Sequence, residues 1–248
     1  MPTSKKKTAV ITGASSGIGA AAAHRLSAAG FRVILGARRA EKVARVAEAC
    51  GGHSMSLDVT DDDSVQSFVG EVQEAHVLVN NAGVGLGLEP VAELTHERVR
   101  TMWDTNVMGL IRMTQALLPR LEASGDGHIV NVGSIAGFET YRGGGGYTAS
   151  KHAVRALTRT LRLELLGKPV RVTEVAPGLV ETEFSLVRFD GDREKATAPY
   201  AGIKPLTADD IAECIAWVAT RPSHVNIDEV VVRPVAQATA TEIIRQED

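Results

Sequence analysis

Two side chains capable of acid–base chemistry, Tyr147 and Lys151, lie four positions apart at the start of a predicted helix. Residues at positions i and i+4 share one face of a helix, so the phenol and the ammonium can face one site. An isolated tyrosine has a pKa of about 10, and a neighbouring cation lowers that pKa because it favours the phenolate. The pair therefore predicts a tyrosine that donates or accepts a proton, although Tyr and Lys also meet at this spacing by chance.

Three further polar residues lie at or near the ends of predicted elements. Ser134 follows an apolar strand-like run, Asn80 ends another, and Asn106 lies within a long predicted helix. The carboxyl ends of parallel strands form the edge at which α/β proteins bind ligands, so Ser134 and Asn80 are candidates for one site. Taken singly, Ser134 could equally cap its strand, and Asn106 could be a polar residue that bends a helix.

A glycine-rich turn joins the first predicted strand to the first predicted helix. The turn reads Thr12-Gly13-Ala14-Ser15-Ser16-Gly17-Ile18-Gly19. Glycines allow a sharp turn and a close approach of the backbone to a ligand, and the following helix N-terminus directs free N–H groups at a phosphate. The turn therefore predicts a dinucleotide site, although a tight strand-to-helix corner alone would look similar. The P-loop motif G-x-x-x-x-G-K-[ST] does not occur in the sequence.

Two arginines, Arg38 and Arg39, follow the second predicted strand, where an acidic residue would bind the ribose 2′-hydroxyl of NAD. Guanidinium groups bind a 2′-phosphate through charge-assisted hydrogen bonds, whereas a carboxylate repels it. The pattern favours NADP(H), with two solvated arginines at the start of a surface helix as the alternative. Asp58, next to Val59, ends the third strand and is a candidate either for the adenine edge or for a helix start.

Short apolar runs alternate with longer helical patterns along the chain. The runs that predict strands are 8–11, 32–35, 55–57, 77–80, 129–132, 170–175 and 230–232. The patterns that predict helices are 18–29, 41–49, 61–74, 96–121, 147–166 and 207–220. Several strands are apolar without alternation, as in parallel strands buried on both faces, and repeated strand–helix alternation implies right-handed crossovers. We therefore predict an α/β fold with a doubly wound parallel sheet and helices on both sides.

Two stretches interrupt this alternation within what we predict to be a single domain of residues 1–248. Residues 178–206 have no clear period, and long irregular segments of compact domains tend to be lids or binding loops. We expect a substrate lid there, with a disordered insertion as the alternative. Four glycines at 143–146 precede Tyr147 and predict a flexible wall of the substrate pocket.

The composition excludes several classes of protein. Acidic and basic residues number 30 and 27, a balance too even for a protein that binds nucleic acid phosphates. No uncharged apolar run reaches the roughly 18 residues of a membrane span, and the N-terminal pattern is not that of a secretory signal. Cys50 and Cys214 alone make neither a disulfide framework nor a zinc site, and no residue cluster predicts another metal. We therefore expect a cytoplasmic protein with no metal, membrane or nucleic acid partner.

Taken in order, these motifs resemble those of the short-chain dehydrogenase/reductase family over residues 7 to 235. The matching pieces are Thr12–Gly19, Asn80–Gly83, Asn106, Ser134, Tyr147, Lys151 and Pro177-Gly178. The resemblance implies a Rossmann-type, seven-stranded sheet in a three-layer α/β/α sandwich. It also implies reversible hydride transfer between a nicotinamide and a small-molecule carbonyl or alcohol, in a homotetramer or homodimer.

The resemblance also assigns roles to individual residues. Tyr147 would be the general acid in reduction and the general base in oxidation, and Lys151 would lower its pKa and bind the nicotinamide ribose. Ser134 would polarise the substrate oxygen, and Asn106 would hold a water that links Lys151 to solvent. The implied cofactor contacts are Gly13, Ser15, Ser16, Gly17, Ile18, Gly19, Arg38, Arg39, Asp58, Val59, Asn80, Ala82, Gly83, Tyr147, Lys151, Pro177, Gly178, Val180 and Thr182.

The substrate is less determined by the sequence. The stretch 224–234 is similar to that of a branch that oxidises serine and other 3-hydroxy acids, and to that of NADPH-dependent aldehyde reductases. A carboxylate substrate would require a cation, for which Arg142, Arg188 and Arg193 are candidates. A hydrophobic ketone or aldehyde would instead pack against an apolar lid. The candidate lid residues are Phe184, Leu186, Phe189 and Tyr200.

We therefore expect an NADPH-dependent carbonyl reductase or alcohol dehydrogenase. One alternative is a serine or 3-hydroxy acid dehydrogenase of the same family, and another is a catalytically silent NADP(H)-binding sensor. A sugar-nucleotide epimerase or dehydratase fits less well, because those relatives space their glycine turn as T-G-x-x-G-x-x-G and have longer chains.

Overall fold

The computed structural model describes residues 6–246, and a parallel sheet lies at its centre. The strands are β1 (Thr8–Thr12), β2 (Arg32–Ala37), β3 (His53–Ser56), β4 (Val77–Asn80), β5 (Gly127–Val132), β6 (Val170–Pro177) and β7 (Glu229–Val232). The helices are α1 (Gly17–Ala28), α2 (Ala40–Cys50), α3 (Asp62–Glu71), α4 (His96–Trp103), α5 (Gly109–Ala123), α6 (Gly145–Glu164), α7 (Glu183–Arg188), α8 (Arg193–Thr197) and α9 (Ala208–Ala219). The strand order is β3-β2-β1-β4-β5-β6-β7.

The central strands are buried on both faces. Every residue of β1, β4, β5 and β6 is buried, which explains why their sequences are apolar without alternation. One apolar cluster joins this sheet to α1, α2 and α9, and a second cluster on the opposite face joins it to α3 and α5. The predicted doubly wound α/β sandwich with a seven-stranded parallel sheet is therefore confirmed.

The order of the strands determines where a ligand can bind. β1 pairs with β2 on one side and with β4 on the other, so the connections leave β1 and β4 towards opposite faces. Such a switch point opens a crevice beyond the carboxyl ends of the strands. The glycine-rich turn follows β1 and therefore lies at this crevice.

The helix predicted over 96–121 is confirmed as a continuous helical stretch, but it contains a π-helical turn that was not predicted. α4 and α5 are separated by a π-helical turn over Asp104–Met108. A π-turn inserts a residue without redirecting the chain, so the local apolar pattern does not reveal it. Within the turn, the Asn106 side chain binds the backbone of Val84 and the hydroxyl of Ser150.

The glycine run before Tyr147 is tightly packed, so the expectation of a flexible pocket wall is wrong. Gly145 and Gly146 begin α6. Gly143 has φ +75°, and a Cβ there would overlap the carbonyl of Leu88, while a Cβ at Gly144 would lie 2.6 Å from the Tyr141 ring. The glycines are needed because neighbouring atoms fill the space that side chains would occupy.

Residues 178–206 form a cover over the carboxyl edge of the sheet and contain α7 and α8. A bridge joins Val180 to Leu206, and the Tyr200 hydroxyl donates to the Val180 carbonyl at 2.9 Å. The C-terminal segment 233–246 lies against this cover, since Gln237 accepts from the Leu179 amide at 2.9 Å. Within residues 6–246, none of the helices combines the length and the apolar character that a bilayer crossing requires.

Candidate active site

A cavity of about 610 Å³ opens at the carboxyl edge of the sheet. Its wall combines the glycine-rich turn, the ends of β2, β5 and β6, the start of α6 and the cover formed by 178–206. Convergent polar groups in a large cleft at the switch point mark the usual ligand site of this architecture. One end is lined by the glycine turn and the arginines after β2, and the other by Ser134, Tyr147 and aromatic residues of α7.

The residues predicted for proton transfer lie together at the second end. Ser134 follows β5 in extended backbone conformation, and its hydroxyl accepts from the Ala136 amide at 3.1 Å. The same hydroxyl lies near the phenol of Tyr147, on the first turn of α6, and acts to lower its pKa. Ser134 is therefore both the cap at its strand end and a wall residue of the cavity, so the two interpretations of this serine coexist.

The electrostatics of Tyr147 differ from the expectation based on Lys151 alone. Burial raises the pKa of Tyr147, while the charge of Arg188 and the hydrogen bond with Ser134 act to lower it. The guanidinium carbon of Arg188 lies 4.7 Å from the centre of the Tyr147 ring, and the Lys151 ammonium lies 5.9 Å from it. Arg188, from α7, is thus the nearer cation, and the local sequence around Tyr147 gives no sign of it.

Lys151 is buried beside the cavity, with 7% of its surface exposed. Its ammonium donates to the Val132 carbonyl at 2.9 Å. Burial lowers the pKa of Lys151 to about 8, although the charge of Glu174 acts to raise it. Gly83 faces the same group, since a Cβ at that position would lie 3.7 Å from the Lys151 Nζ.

Asn106 lies behind the cavity wall. Its Oδ1 accepts from the Val84 amide at 2.7 Å, and its Nδ2 donates to the Val84 carbonyl at 2.8 Å and to the Ser150 hydroxyl at 2.9 Å. The side chain therefore ties the loop after β4 to α6, the helix that carries Tyr147 and Lys151. Val84 and Ser150 lie 22 and 44 residues from Asn106 along the chain. The sequence could therefore identify Asn106 but not its contacts.

The glycine turn packs directly against the loop that follows β4. Gly13 has φ +65°, and a Cβ there would lie 2.8 Å from the Cα of Ala82. The Thr12 hydroxyl accepts from the amides of Asn81 and Ala82 at 3.1 and 3.0 Å. α1 then begins at Gly17 with no acidic residue in its first turn, so its free N–H groups and positive end face the cavity unopposed.

The two arginines at this end differ in their partners. Arg39 donates to the hydroxyls of Ser15 and Ser16 at 2.9 and 2.6 Å and pairs with Glu183 at 2.6 Å. This ion pair spans the cavity, since Glu183 lies on the cover formed by residues 178–206. Arg38 lines the cavity, and its side chain forms no hydrogen bond or ion pair with any of residues 6–246. Hydrogen bonds from Arg39, above all, lower the pKa of Glu183 to about 2.

Asp58 lines the cavity and at the same time stabilises its own turn. Its carboxylate accepts from the amide and the hydroxyl of Thr60 at 3.0 and 2.7 Å. Burial acts to raise the pKa of Asp58, but these hydrogen bonds and the charges of Arg38 and Arg112 outweigh it and hold the pKa below its ordinary value. Both interpretations of Asp58 therefore remain compatible with its position.

Three predicted site residues do not line the cavity. A Cβ at Gly19 would overlap the side chain of Asn81, so Gly19 serves the packing of the turn. Asn80 points into the interior and donates to Asn131 and Thr114 at 2.9 and 3.1 Å. Asn106 is the third. The remaining predicted contacts line the wall, and they are Gly13, Ser15, Ser16, Gly17, Ile18, Arg38, Arg39, Asp58, Val59, Ala82, Gly83, Ser134, Tyr147, Lys151, Pro177, Gly178, Val180 and Thr182.

At the substrate end, Arg188 is the one of the three candidate arginines that lines the cavity. Its guanidinium carbon lies 5.0 Å from the centre of the Phe184 ring, and it donates to the Tyr141 hydroxyl at 3.2 Å. Its Nε is buried with no hydrogen-bond partner among residues 6–246. Of the predicted apolar lid, Phe184, Phe189 and Tyr200 line the cavity, whereas Leu186 does not.

The site also contains residues that the sequence analysis did not identify. Tyr141 and Glu183 line the cavity, as do residues of the C-terminal segment, among them Gln237 and Arg245. No local pattern marks these positions. Glu174 could have been noticed in the sequence, because a carboxylate among the buried residues of a central strand such as β6 is unusual.

Comparisons with known proteins agree with this geometry. Residues 7–191 match the family model described as short chain dehydrogenase. The chain is 58% identical over 237 residues to an uncharacterized oxidoreductase of Mycobacterium tuberculosis, covering 96% of this chain and 94% of that protein. It is 45% identical to sulfoacetaldehyde reductase 2 of Chromohalobacter salexigens, covering 92% and 94%. Among solved structures, the closed form of a serine dehydrogenase complexed with NADP+ superposes with a TM-score of 0.91 at 38% identity, covering 97% and 100%.

Proposed function

Since this chain belongs to the short-chain dehydrogenase family, we propose that it is an NADP(H)-dependent oxidoreductase of small carbonyl compounds and alcohols. The observation that carries the proposal is the meeting of the Tyr147 and Ser134 hydroxyls inside a cavity whose other end is the glycine turn. Bound NADP(H) would supply or accept the hydride. The protein would supply alignment, proton transfer and exclusion of water.

The turn after β1 fits the phosphates of a dinucleotide. Its glycines keep the approach to α1 free of side chains, and the helix N-terminus provides N–H donors. Arg38 supports the choice of NADP(H) over NAD(H), because it lines the cavity and its guanidinium forms no hydrogen bond or ion pair with residues 6–246. A 2′-phosphate would supply that partner. The serine dehydrogenase with a TM-score of 0.91 was solved with NADP+, which supports the same choice.

Tyr147 would move the proton. In reduction its hydroxyl donates a proton to the substrate oxygen, and in oxidation the phenolate accepts it. Burial works against the phenolate, so the cation of Arg188 and the hydrogen bond from Ser134 are needed to stabilise it. When substrate is bound, the single proton of the Ser134 hydroxyl would instead be donated to the substrate oxygen and would hold that oxygen next to the phenol.

Lys151 and Asn106 would support the proton transfer by Tyr147 indirectly. Lys151 lies beside Gly83 at the cavity wall, where its ammonium can hold the ribose of the cofactor. Asn106 fixes Val84 and Ser150, so it keeps the loop after β4 and the catalytic helix in register. Its effect on catalysis would therefore be exerted through the positions of these two elements.

A substrate with an acidic group is the second candidate, and Arg188 favours it. A buried guanidinium nitrogen without a partner carries a free-energy cost that a bound anion would remove. Sulfoacetaldehyde and serine, the compounds in the names of two relatives, both carry an acidic group. We therefore propose a short aldehyde acid, oxo acid or hydroxy acid rather than a purely apolar ketone.

Steady-state kinetics with matched substrates tests both proposals. We expect oxidation of NADPH in the presence of a 3-oxo acid, and a kcat/KM at least about tenfold lower for its methyl ester, because the ester has no charge for Arg188. Binding of NADPH without turnover on a broad panel of aldehydes, ketones and oxo acids would favour the silent sensor instead.

The variant Arg188→Gln separates substrate recognition from its effect on Tyr147. We expect it to reduce the kcat/KM for the acid about tenfold more than that for the ester. Arg193→Gln, in α8 and outside the cavity wall, is the control and should leave the ratio unchanged. Equal losses for acid and ester in Arg188→Gln would limit Arg188 to the stabilisation of the phenolate.

A further inference from the structure

A row of polar side chains crosses four neighbouring strands of the buried sheet. The pairing register places Asn80 beside Asn131, Asn131 beside Glu174, and Glu174 beside Glu229. Residues in register on parallel strands point to the same face of a sheet. Asn131 donates to Thr158 of α6 at 2.9 Å, so this face is the one that α6 covers. The row therefore lies under the helix that carries Tyr147 and Lys151.

Glu174 is the member of the row whose hydrogen bonding is incomplete. Its side chain is 2% exposed, and its Oε1 has no hydrogen-bond partner among residues 6–246. Its Oε2 lies 3.9 Å from the guanidinium of Arg155, which instead binds both oxygens of Glu229 at 2.6 and 2.8 Å. Burying a carboxylate is costly unless another charge compensates it.

Arg155 supplies part of that compensation, and a second cation, Lys151, lies one helical turn before it on α6. Glu174 acts on the ammonium of Lys151, and Lys151 acts on the carboxylate of Glu174. The carboxylate also touches the site backbone, because a Cβ at Gly133 would overlap its Oε1. Gly133 lies between Val132, whose carbonyl binds the ammonium, and Ser134. Glu174 therefore lies directly behind residues 132–134, the segment that binds the Lys151 ammonium and carries Ser134.

We propose that Glu174 is the buried counter-charge of Lys151, a positioning residue that keeps this lysine protonated in the working enzyme. The inference rests on the proposed function for its catalytic meaning, but the pairing itself does not depend on turnover. A neutral Lys151 could neither attract the phenolate nor donate fully to a cofactor ribose. Glu174 would thus set the upper pH limit of activity from beneath the helix that carries Lys151.

The direction of the effect follows from the charges around the pair. Burial, above all, raises the pKa of Glu174, and the charge of Glu229 acts in the same direction. The charges of Arg155, Lys151 and Arg159 act against this rise and favour the ionised carboxylate. The pKa of Lys151 is about 8, so a modest further decrease would leave the lysine neutral at physiological pH. Removing the negative charge of Glu174 removes the effect that raises this pKa.

The test measures the titration of Lys151 itself. Pulse labelling with acetic anhydride at a series of pH values, followed by digestion and mass spectrometry, reports the reactive fraction of Lys151, with exposed Lys204 as internal reference. We expect Glu174→Gln to shift the midpoint for Lys151 down by about one pH unit. The alkaline limb of kcat/KM for reduction should move in the same direction.

Glu229→Gln is the matched control. It removes an equivalent charge from the same row, but Glu229 binds Arg155 and does not act on Lys151. Its labelling midpoint should not fall below that of the wild type, because removing Glu229 favours the ionised form of Glu174. A purely structural role for Glu174 would lower the melting temperature and leave the midpoint in place, and that result would overturn the proposal.

A third variant covers the case in which Glu174→Gln does not fold. Glu174→Asp retains the charge, so its labelling midpoint should stay close to that of the wild type, and a decrease of about one unit would overturn the proposal. Because labelling needs no turnover, a shifted midpoint in a protein without reductase activity would refute the proposed function and leave the pairing intact.

Discussion

The two ends of the cavity differ in the chemical groups that line them. At the phosphate end, the contacts come from backbone N–H groups, glycines and arginines near solvent; Arg39 and Glu183, which bridge it, are 45% and 42% exposed. At the substrate end, Tyr147, Ser134 and Lys151 meet a cation, Arg188, away from bulk water. The phosphate end therefore depends on the shape of the backbone, and the substrate end depends on buried charges.

This difference predicts how each end responds to substitution. Charges near solvent are screened, so a single ion pair there contributes about 0–1 kcal/mol. Buried charges are screened much less, and removing one partner leaves the other without compensation. We therefore expect changes at the substrate end to affect rate strongly, and changes at the phosphate end to affect cofactor affinity more mildly.

The largest effect is expected for Tyr147→Phe. Loss of the phenol removes the proposed proton donor, so kcat for carbonyl reduction should fall by about 10³-fold, while NADPH binding by fluorescence titration stays within about twofold. Tyr200→Phe is a suitable control, because that hydroxyl binds the Val180 carbonyl and Ser185 within the cover. If Tyr147→Phe kept wild-type turnover, another group would have to move the proton.

An intermediate effect is expected for Arg38→Ala. The variant should weaken NADPH binding by about 30-fold and NADH binding by less than about threefold, because only NADPH carries the 2′-phosphate. Arg45→Ala, on the exposed face of α2, should change neither affinity. Equal losses for the two cofactors by calorimetric titration would contradict the assignment of NADP(H) to this end.

The smallest effect is expected for Glu183→Gln. Glu183 forms an ion pair with the guanidinium of Arg39 across the cavity. Neutralising Glu183 should therefore leave Arg39 free to bind the cofactor, and NADPH binding should tighten by about two- to fivefold. Glu181→Gln removes a neighbouring charge outside this pair and should have a smaller effect. Weaker binding in Glu183→Gln would mean that the pair instead holds the groove in its binding shape.

Predictions from the sequence were accurate where a local pattern carried the information. The apolar run at 77–80 became β4 with the same bounds, since strands buried on both faces need continuous apolar residues. The helix over 96–121 was also correct, but the π-turn at Asn106 was not predicted, because the hydrogen bonds of this residue go to the distant Val84 and Ser150. The glycine run before Tyr147 was misjudged for a similar reason, since a main neighbour such as Leu88, packed against Gly143, is distant in sequence.

The sequence by itself determined the parallel α/β architecture, the glycine turn and the tyrosine–lysine spacing, because each depends on residues that are close along the chain. Only the tertiary structure decided which charges act on those groups. Arg188 of α7 lies over the ring of Tyr147, the charge of Glu174 on β6 acts on Lys151, and Glu183 of the cover pairs with Arg39. These contacts arise when separate elements pack around one sheet, and buried charges interact over distances that no local pattern encodes.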